Sequence, residues 1–116
     1  MPITETILVV EDEALIAMDL ELTVREMGFD VVSAVTVAAA LAVLATRTIH
    51  FAILDFRVGR DDTSPVAEVL RDKRIPFALC SGTDIGTARR VFEGAAIISK
   101  PYSEETLRTA IQSALN

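Results

Sequence analysis

The sequence predicts an α/β fold, a three-layer sandwich of five parallel strands with helices on both faces. Two observations carry this. Short apolar runs alternate with helical patterns five times along the 116 residues, and the runs are apolar at nearly every position instead of every second one. A strand that is wet on one face alternates; a strand apolar throughout is covered on both, as parallel strands are. No linker, internal repeat or low-complexity tail breaks the pattern, so residues 1–116 read as one domain.

The elements follow in order. "TILVV" (6–10) is too short and too β-branched for a helix and reads as the first strand. "LIAMDLELTVREMG" then reads as a helix, with Leu15, Met18 and Leu22 on one face and Ile16, Leu20, Val24 and Met27 beside them; Gly28 supplies its stop. "DVVSA" (30–34) is the second strand, and Thr36 is placed to cap an alanine-rich helix over 37–47. "HFAILDF" (50–56) is the third strand, apolar until Asp55. Ser64 followed by Pro65 has the form of a helix start, a cap and then a proline in the first turn. "PFALCS" (76–81) is the fourth strand, 84–93 a weak helix interrupted by Gly86, and "AAIIS" (95–99) the fifth strand. The last helix, 104–115, sets Leu107, Ala110, Ile111, Ala114 and Leu115 on one stripe. Ser103 caps it, and Glu104 and Glu105 lie in the first turn, where the helix dipole favours acids.

Composition narrows the function. Hydrophobic residues make up 51% of the chain, ample for a core. The net charge of -6 repels phosphate backbones, which argues against nucleic-acid binding. No apolar run approaches the roughly 18 residues of a membrane span, and the N-terminus lacks the form of a signal peptide. The lone Cys80 allows neither an internal disulfide nor a zinc cluster, which fits a reduced, cytoplasmic setting. No GxGxxG follows the first strand, which disfavours a dinucleotide enzyme.

Right-handed crossovers bring all strand C-termini to one edge, where ligands of such sheets bind. Strand one ends in Glu11 and Asp12, strand three in Asp55, strand four in Ser81, and strand five in Lys100 followed by Pro101. Three converging acids repel one another, so a cation is their natural occupant. Hard oxygen ligands in an open site suit magnesium, or manganese. The lysine and the hydroxyl suit an anion beside it. The plainer alternative makes Glu11, Asp12 and Glu13 N-terminal acids favoured by a helix dipole. It also makes Ser81 a helix-cap hydroxyl and Lys100 a solvated surface lysine. Asp61 and Asp62 read as loop solvation, Cys80 as a small core residue, and His50 as a surface or half-buried histidine far from the acidic edge. The pair Arg89–Arg90 fits a solvated face or a docking surface.

"VVEDE" after strand one, "AILDF" at strand three, "LCSG" at strand four and "SKPY" after strand five, in this order, resemble the response-regulator receiver domain of two-component signalling, of the chemotaxis-receiver type. "EDEALIAMDLE" and "KPY" are also similar to stand-alone receivers of alphaproteobacteria. The resemblance implies a flavodoxin-like, doubly wound (βα)5 fold with sheet order 2-1-3-4-5. It implies that Asp55 is the phosphoacceptor, taking a phosphoryl group from the phosphohistidine of a sensor histidine kinase or a phosphotransfer protein. Asp12 would ligate magnesium directly, Glu11 through a metal-bound water, and Asp55 and the backbone carbonyl of Arg57 would complete the protein ligands. Ser81 and Lys100 would each hold a phosphoryl oxygen, with Pro101 fixing the turn that aims the lysine. Such a protein is not an enzyme in the ordinary sense; it catalyses only its own phosphorylation and dephosphorylation. Output would be protein binding, to a downstream partner or to a second copy through the fourth helix, fifth strand and fifth helix.

The chain departs from the family pattern in four places. The acid pair is Glu-Asp where Asp-Asp is commoner. Arg57 and Gly59 follow the phosphoacceptor, the glycine where a proline is usual; Arg57 is expected to alter phosphate lifetime. The stretches from Asp55 to Ser81 and from Ser81 to Lys100 are short, which predicts abbreviated or irregular third and fourth helices. Ile97 stands where an aromatic switch residue is common, which leaves Tyr102, Phe92 or the fourth helix itself to carry the signal. Two other functions compete: a receiver-like interaction module that is never phosphorylated, and a haloacid-dehalogenase-type phosphatase. The phosphatase family wants a second aspartate where Arg57 stands.

Overall fold

The computed structural model describes residues 4–81, 96–99 and 103–115. The apolar runs form the sheet. β1 (Thr6–Val10) is buried at all five positions and lies between β2 (Asp30–Ala34) and β3 (Phe51–Asp55). β6 (Phe77–Ser81) pairs with β3, and β7 (Ala96–Ser99) with β6, every pair parallel. The order β2-β1-β3-β6-β7 is the expected 2-1-3-4-5 once the strands of this sheet are counted alone. Between β3 and the next helix the chain adds a feature the sequence reading left out, a hairpin of two-residue strands, β4 (Arg57–Val58) and β5 (Asp61–Asp62).

Strand periodicity splits the core in two. Leu8, Val10, Ala52, Leu54 and Leu79 pack with Ala40 and Leu44 of α2 (Val37–Thr46) and with Val66, Ala67 and Leu70 of α3 (Ser64–Asp72). On the other face Ile7, Val9, Phe51, Ile53, Cys80 and Ile98 pack with Leu20 and Val24 of α1 (Ala14–Glu26) and with Leu107 and Ile111 of α4 (Glu104–Leu115). Each fully buried large aliphatic side chain contributes roughly 1.5–3 kcal/mol of transfer free energy.

The helix ends obey local rules. The Thr36 side chain accepts from Ala39 N–H at 3.0 Å, and Ser103 Oγ accepts from Thr106 N–H at 3.1 Å, as expected of both caps. α1 ends in a Schellman turn: Gly28, at φ +97°, donates to Arg25 O, and Phe29 N–H donates to Val24 O. α3 ends in the same pair of bonds, from Arg74 N–H to Arg71 O and from Ile75 N–H to Leu70 O. Here the left-handed position is held by Arg74, at φ +59°.

Several expectations need correction. The stripe Leu15, Met18 and Leu22 faces solvent, at 82%, 57% and 58% exposure, while Ala17, Leu20 and Val24 face the sheet. Both stripes of α1 are apolar, so periodicity could not rank them. Ser64 lies inside α3 and does not cap it; its N–H donates to Asp62 Oδ1 at 2.9 Å, and its hydroxyl donates to the same oxygen. Asp62 is therefore a capping acid and not mere loop solvation. The strand boundaries tighten by a residue at 50, 56 and 76. The helix expected over 84–93, with Arg89, Arg90 and Phe92, lies outside the described residues.

Candidate functional site

The site begins with register. Val10 pairs with Leu54 in the β1–β3 ladder, so the next residue of each strand sets Glu11 alongside Asp55. The Glu11 N–H donates to Ala34 O at 3.1 Å, which carries the sheet one residue past β1. Burial is graded across the three acids. Glu11 is 2% exposed, Asp55 is half-buried and Asp12 is exposed. One carboxylate oxygen from each lies within 4.8 Å of the others. The expected cup of Glu11, Asp12 and Asp55 is therefore assembled at the C-terminal edge of the sheet.

A helix dipole does not account for this cluster. α1 starts at Ala14, Glu13 occupies its N-cap without a side-chain capping bond, and its first turn carries no acid. Three carboxylates this close repel one another unless a cation or proton intervenes. The donors are all hard oxygens in a pocket open at Asp12, which fits magnesium or manganese and not the nitrogen and sulfur sets of zinc.

The segment after Asp55 is tied down at three points. Phe56 N–H donates to Cys80 O at 3.2 Å, continuing the β3–β6 pairing. The Thr63 hydroxyl, on a fully buried residue, donates to the backbone carbonyl of Asp55 at 2.8 Å, while Thr63 N–H donates to Phe56 O. At the hairpin tip Gly59 N–H donates to Asp12 Oδ2 at 2.8 Å. Arg57 is exposed, with its guanidinium 5.1 Å from the Phe56 ring centroid. The bonds from Ser64 hold the Asp62 carboxyl below its usual range, with the Arg57 charge adding to the effect. Gly59 entered the sequence reading only as a missing proline, and Thr63 not at all. The signal for both was weak, because "RVGRDDT" has no apolar run to announce strands.

The remaining predicted site residues divide by position. Ser81 ends β6, beside Ser99 of β7 in register, but its side chain lies outside what the structure describes. Lys100, Pro101 and Tyr102 lie outside the described residues. Ile97 pairs with Leu79 and packs, half-buried, against the core shared with α2 and α3. Cys80 is a buried core residue, as read from the sequence. His50 is half-buried at the start of β3, and its Nδ1 accepts Thr6 N–H at 3.0 Å, at the opposite end of the strand from Asp55.

Comparison with known proteins decides the family. The family model described as "Response regulator receiver domain" matches residues 7–112. The chain belongs to the response regulator receiver domain family. Among curated proteins this receiver domain is 30% identical to "Probable transcriptional regulator ycf27" of Porphyridium aerugineum over 115 residues, which covers 96% of this chain and 48% of that one. The receiver domain thus spans about half the length of that relative. Among solved structures it matches a response regulator receiver protein of Sinorhizobium medicae WSM419 with a TM-score of 0.90 and 30% identity, covering 97% of this chain and 95% of the other. It matches SdrG of Sphingomonas melonis Fr1 with a TM-score of 0.85 and 34% identity over the full length of both. The doubly wound, flavodoxin-like fold expected from the sequence is the fold of these receivers.

Proposed function

We propose that this receiver domain takes a phosphoryl group on Asp55 from the phosphohistidine of a sensor histidine kinase or a phosphotransfer protein, and that this changes what the domain binds. The observation that carries the reading is the cup of Glu11, Asp12 and Asp55, within 4.8 Å, at the sheet edge where the phosphoacceptor strand ends. A carboxylate oxygen of Asp55 attacks phosphorus in line. The bond from phosphorus to the donor nitrogen breaks, and the nitrogen keeps the electron pair. The product is an acyl phosphate that water hydrolyses. A magnesium ion held by Asp12, Asp55 and the Arg57 carbonyl, with Glu11 behind a water, would neutralise charge on the transferring oxygens. Half-burial of Asp55 limits its hydration, and the Thr63 bond to its carbonyl fixes the strand end from which it projects. Ser81 and Lys100 would hold the phosphoryl oxygens, Pro101 would aim the lysine, and Arg57 would govern how fast water reaches the phosphorus.

The donor must bring its phosphorus to Asp55, so its surface covers the rim of the cup. Leu15, three residues past Asp12, opens the exposed stripe Leu15, Met18 and Leu22, which offers that donor an apolar face. Output is binding, through the surface of β7 and α4, in the cytoplasm where the lone Cys80 stays reduced. With Ile97 in place of an aromatic, Tyr102 or Phe92 is the ring left to carry the change.

The test is beryllofluoride with Mg2+, read by amide NMR on the wild type and on Asp55→Asn. Shifts around residues 11–12 and 55–63 in the wild type alone support phosphoacceptance. An unresponsive wild type leaves a plain interaction module, and steady turnover of a phosphate ester would indicate a phosphatase. Leu15→Asp should slow transfer from a donor protein and leave transfer from a small phosphodonor unchanged.

A further inference from the structure

We infer that Gly59 is a positioning residue whose backbone N–H aims the Asp12 carboxylate into the cation cup. The inference rests on the proposed reading of that cup and adds a part to it. Asp12 is exposed and sits one residue beyond the buried Glu11, so packing does not select its rotamer. Among the described residues, what fixes it is a hydrogen bond from the Gly59 N–H to Oδ2, at 2.8 Å, reaching across 47 residues of sequence. The bond occupies one carboxylate oxygen and leaves the other to turn toward Glu11 and Asp55. A charge-assisted bond of this kind is among the stronger ones available to an exposed side chain. Holding the rotamer before a cation arrives removes an ordering cost from binding.

The donor is itself aimed. Gly59 is the first residue of the turn between β4 and β5 and has φ +66°. A Cβ there would meet nothing within 4 Å, so glycine is favoured for its backbone angle and not for space. The hairpin is anchored below by buried Val58 and by the Thr63 bonds to Asp55 O and Phe56 O. Asp12 and Asp55 are thus tied to the same short segment from two sides. Proline at 59 would delete the N–H and force φ near −65°, removing the bond twice over. The departure from the proline usual at this position is therefore a change of device: this chain holds the metal-binding aspartate with a backbone donor.

The experiment measures Mg2+ affinity by isothermal titration calorimetry on the wild type, Gly59→Pro and Gly59→Asn, with a metal-free thermal melt of each. Asparagine keeps the N–H and tolerates a left-handed backbone. The expected result is an affinity loss of about tenfold or more in Gly59→Pro, in the range for groups that orient metal ligands. Gly59→Asn should stay within about twofold of wild type, because its donor is retained. Equal affinity in all three overturns the inference while leaving the cup intact. Absence of Mg2+ binding in the wild type overturns the cup and the positioning role together. Should Gly59→Pro fail to fold, hydrogen exchange decides. The Gly59 amide must be protected in the wild type and lose protection in Asp12→Ala, with Thr63 unchanged; an unprotected Gly59 amide in wild type contradicts the inference.

Discussion

Asp62 shows how one side chain links the hairpin to the helix behind it. Its Oδ1 takes both the N–H and the hydroxyl of Ser64, and these bonds hold its pKa below the ordinary value of 3.8. A carboxylate with a depressed folded-state pKa stabilises the fold above its unfolded pKa. That contribution falls away as pH drops through 3.8 toward the lower folded value. Asp62→Ala should cost about 1 kcal/mol at neutral pH, the usual loss of a helix cap, measured by urea denaturation. The wild type should lose its advantage over Asp62→Asn as pH falls below about 4, because only the carboxylate titrates. The sequence hid this role: Ser64-Pro65 carries the stronger local signature of a cap, and only the fold shows Ser64 already inside the helix.

At the scale of elements, α1 and α3 end in the same Schellman turn, with Gly28 in one and Arg74 in the other. Arginine pays a steric penalty at φ +59° that glycine does not. Arg74→Gly should therefore raise stability by about 0.5–1 kcal/mol in a denaturant titration; a loss would mean that Arg74 makes compensating contacts. The two stripes of α1 give a second contrast. Leu20 is 3% exposed against the sheet, and Leu20→Ala should cost about 2–5 kcal/mol. Leu22→Gln, on the exposed stripe, should move stability by no more than about 0.5 kcal/mol. Long periodic elements were legible from the sequence because several residues vote for each. β1, β2, the caps at Thr36 and Ser103 and the stop at Gly28 all stand as read. The β4–β5 hairpin was not legible, since two-residue strands of mostly charged residues leave no period to detect. The facing of α1 was not legible either, because its solvent stripe is as apolar as its core stripe.

For the whole molecule, the sheet turns a sequence pattern into a place. Asp55 lies more than 40 residues from the adjacent pair Glu11 and Asp12, yet parallel register and right-handed crossovers bring all three to one cup, as the sequence rule for such sheets requires. The acids at strand ends were legible because each terminates an apolar run. The polar contacts that hold them, from Gly59 and Thr63, were not, because a backbone N–H and a lone buried hydroxyl have no sequence signature. Asp12 adds a further negative charge within 4.8 Å of two other carboxylates. In metal-free buffer Asp12→Asn, which keeps an acceptor for Gly59, should stabilise the fold by on the order of 1 kcal/mol. Saturating Mg2+ should reverse the ranking, adding about 2.7 kcal/mol to the wild type at a hundredfold excess over its Kd.

The central claim is that Asp55 accepts a phosphoryl group only when the cup holds a divalent ion. Its most direct test is intact-mass analysis of the chain after exposure to a small phosphodonor, with Mg2+ or with a chelator. The predicted result is the mass of one added phosphoryl group in the wild type with Mg2+, and none with chelator, in Asp55→Asn, or in Asp12→Ala. Phosphorylation that persists in Asp55→Asn, or that ignores the chelator, would contradict the account.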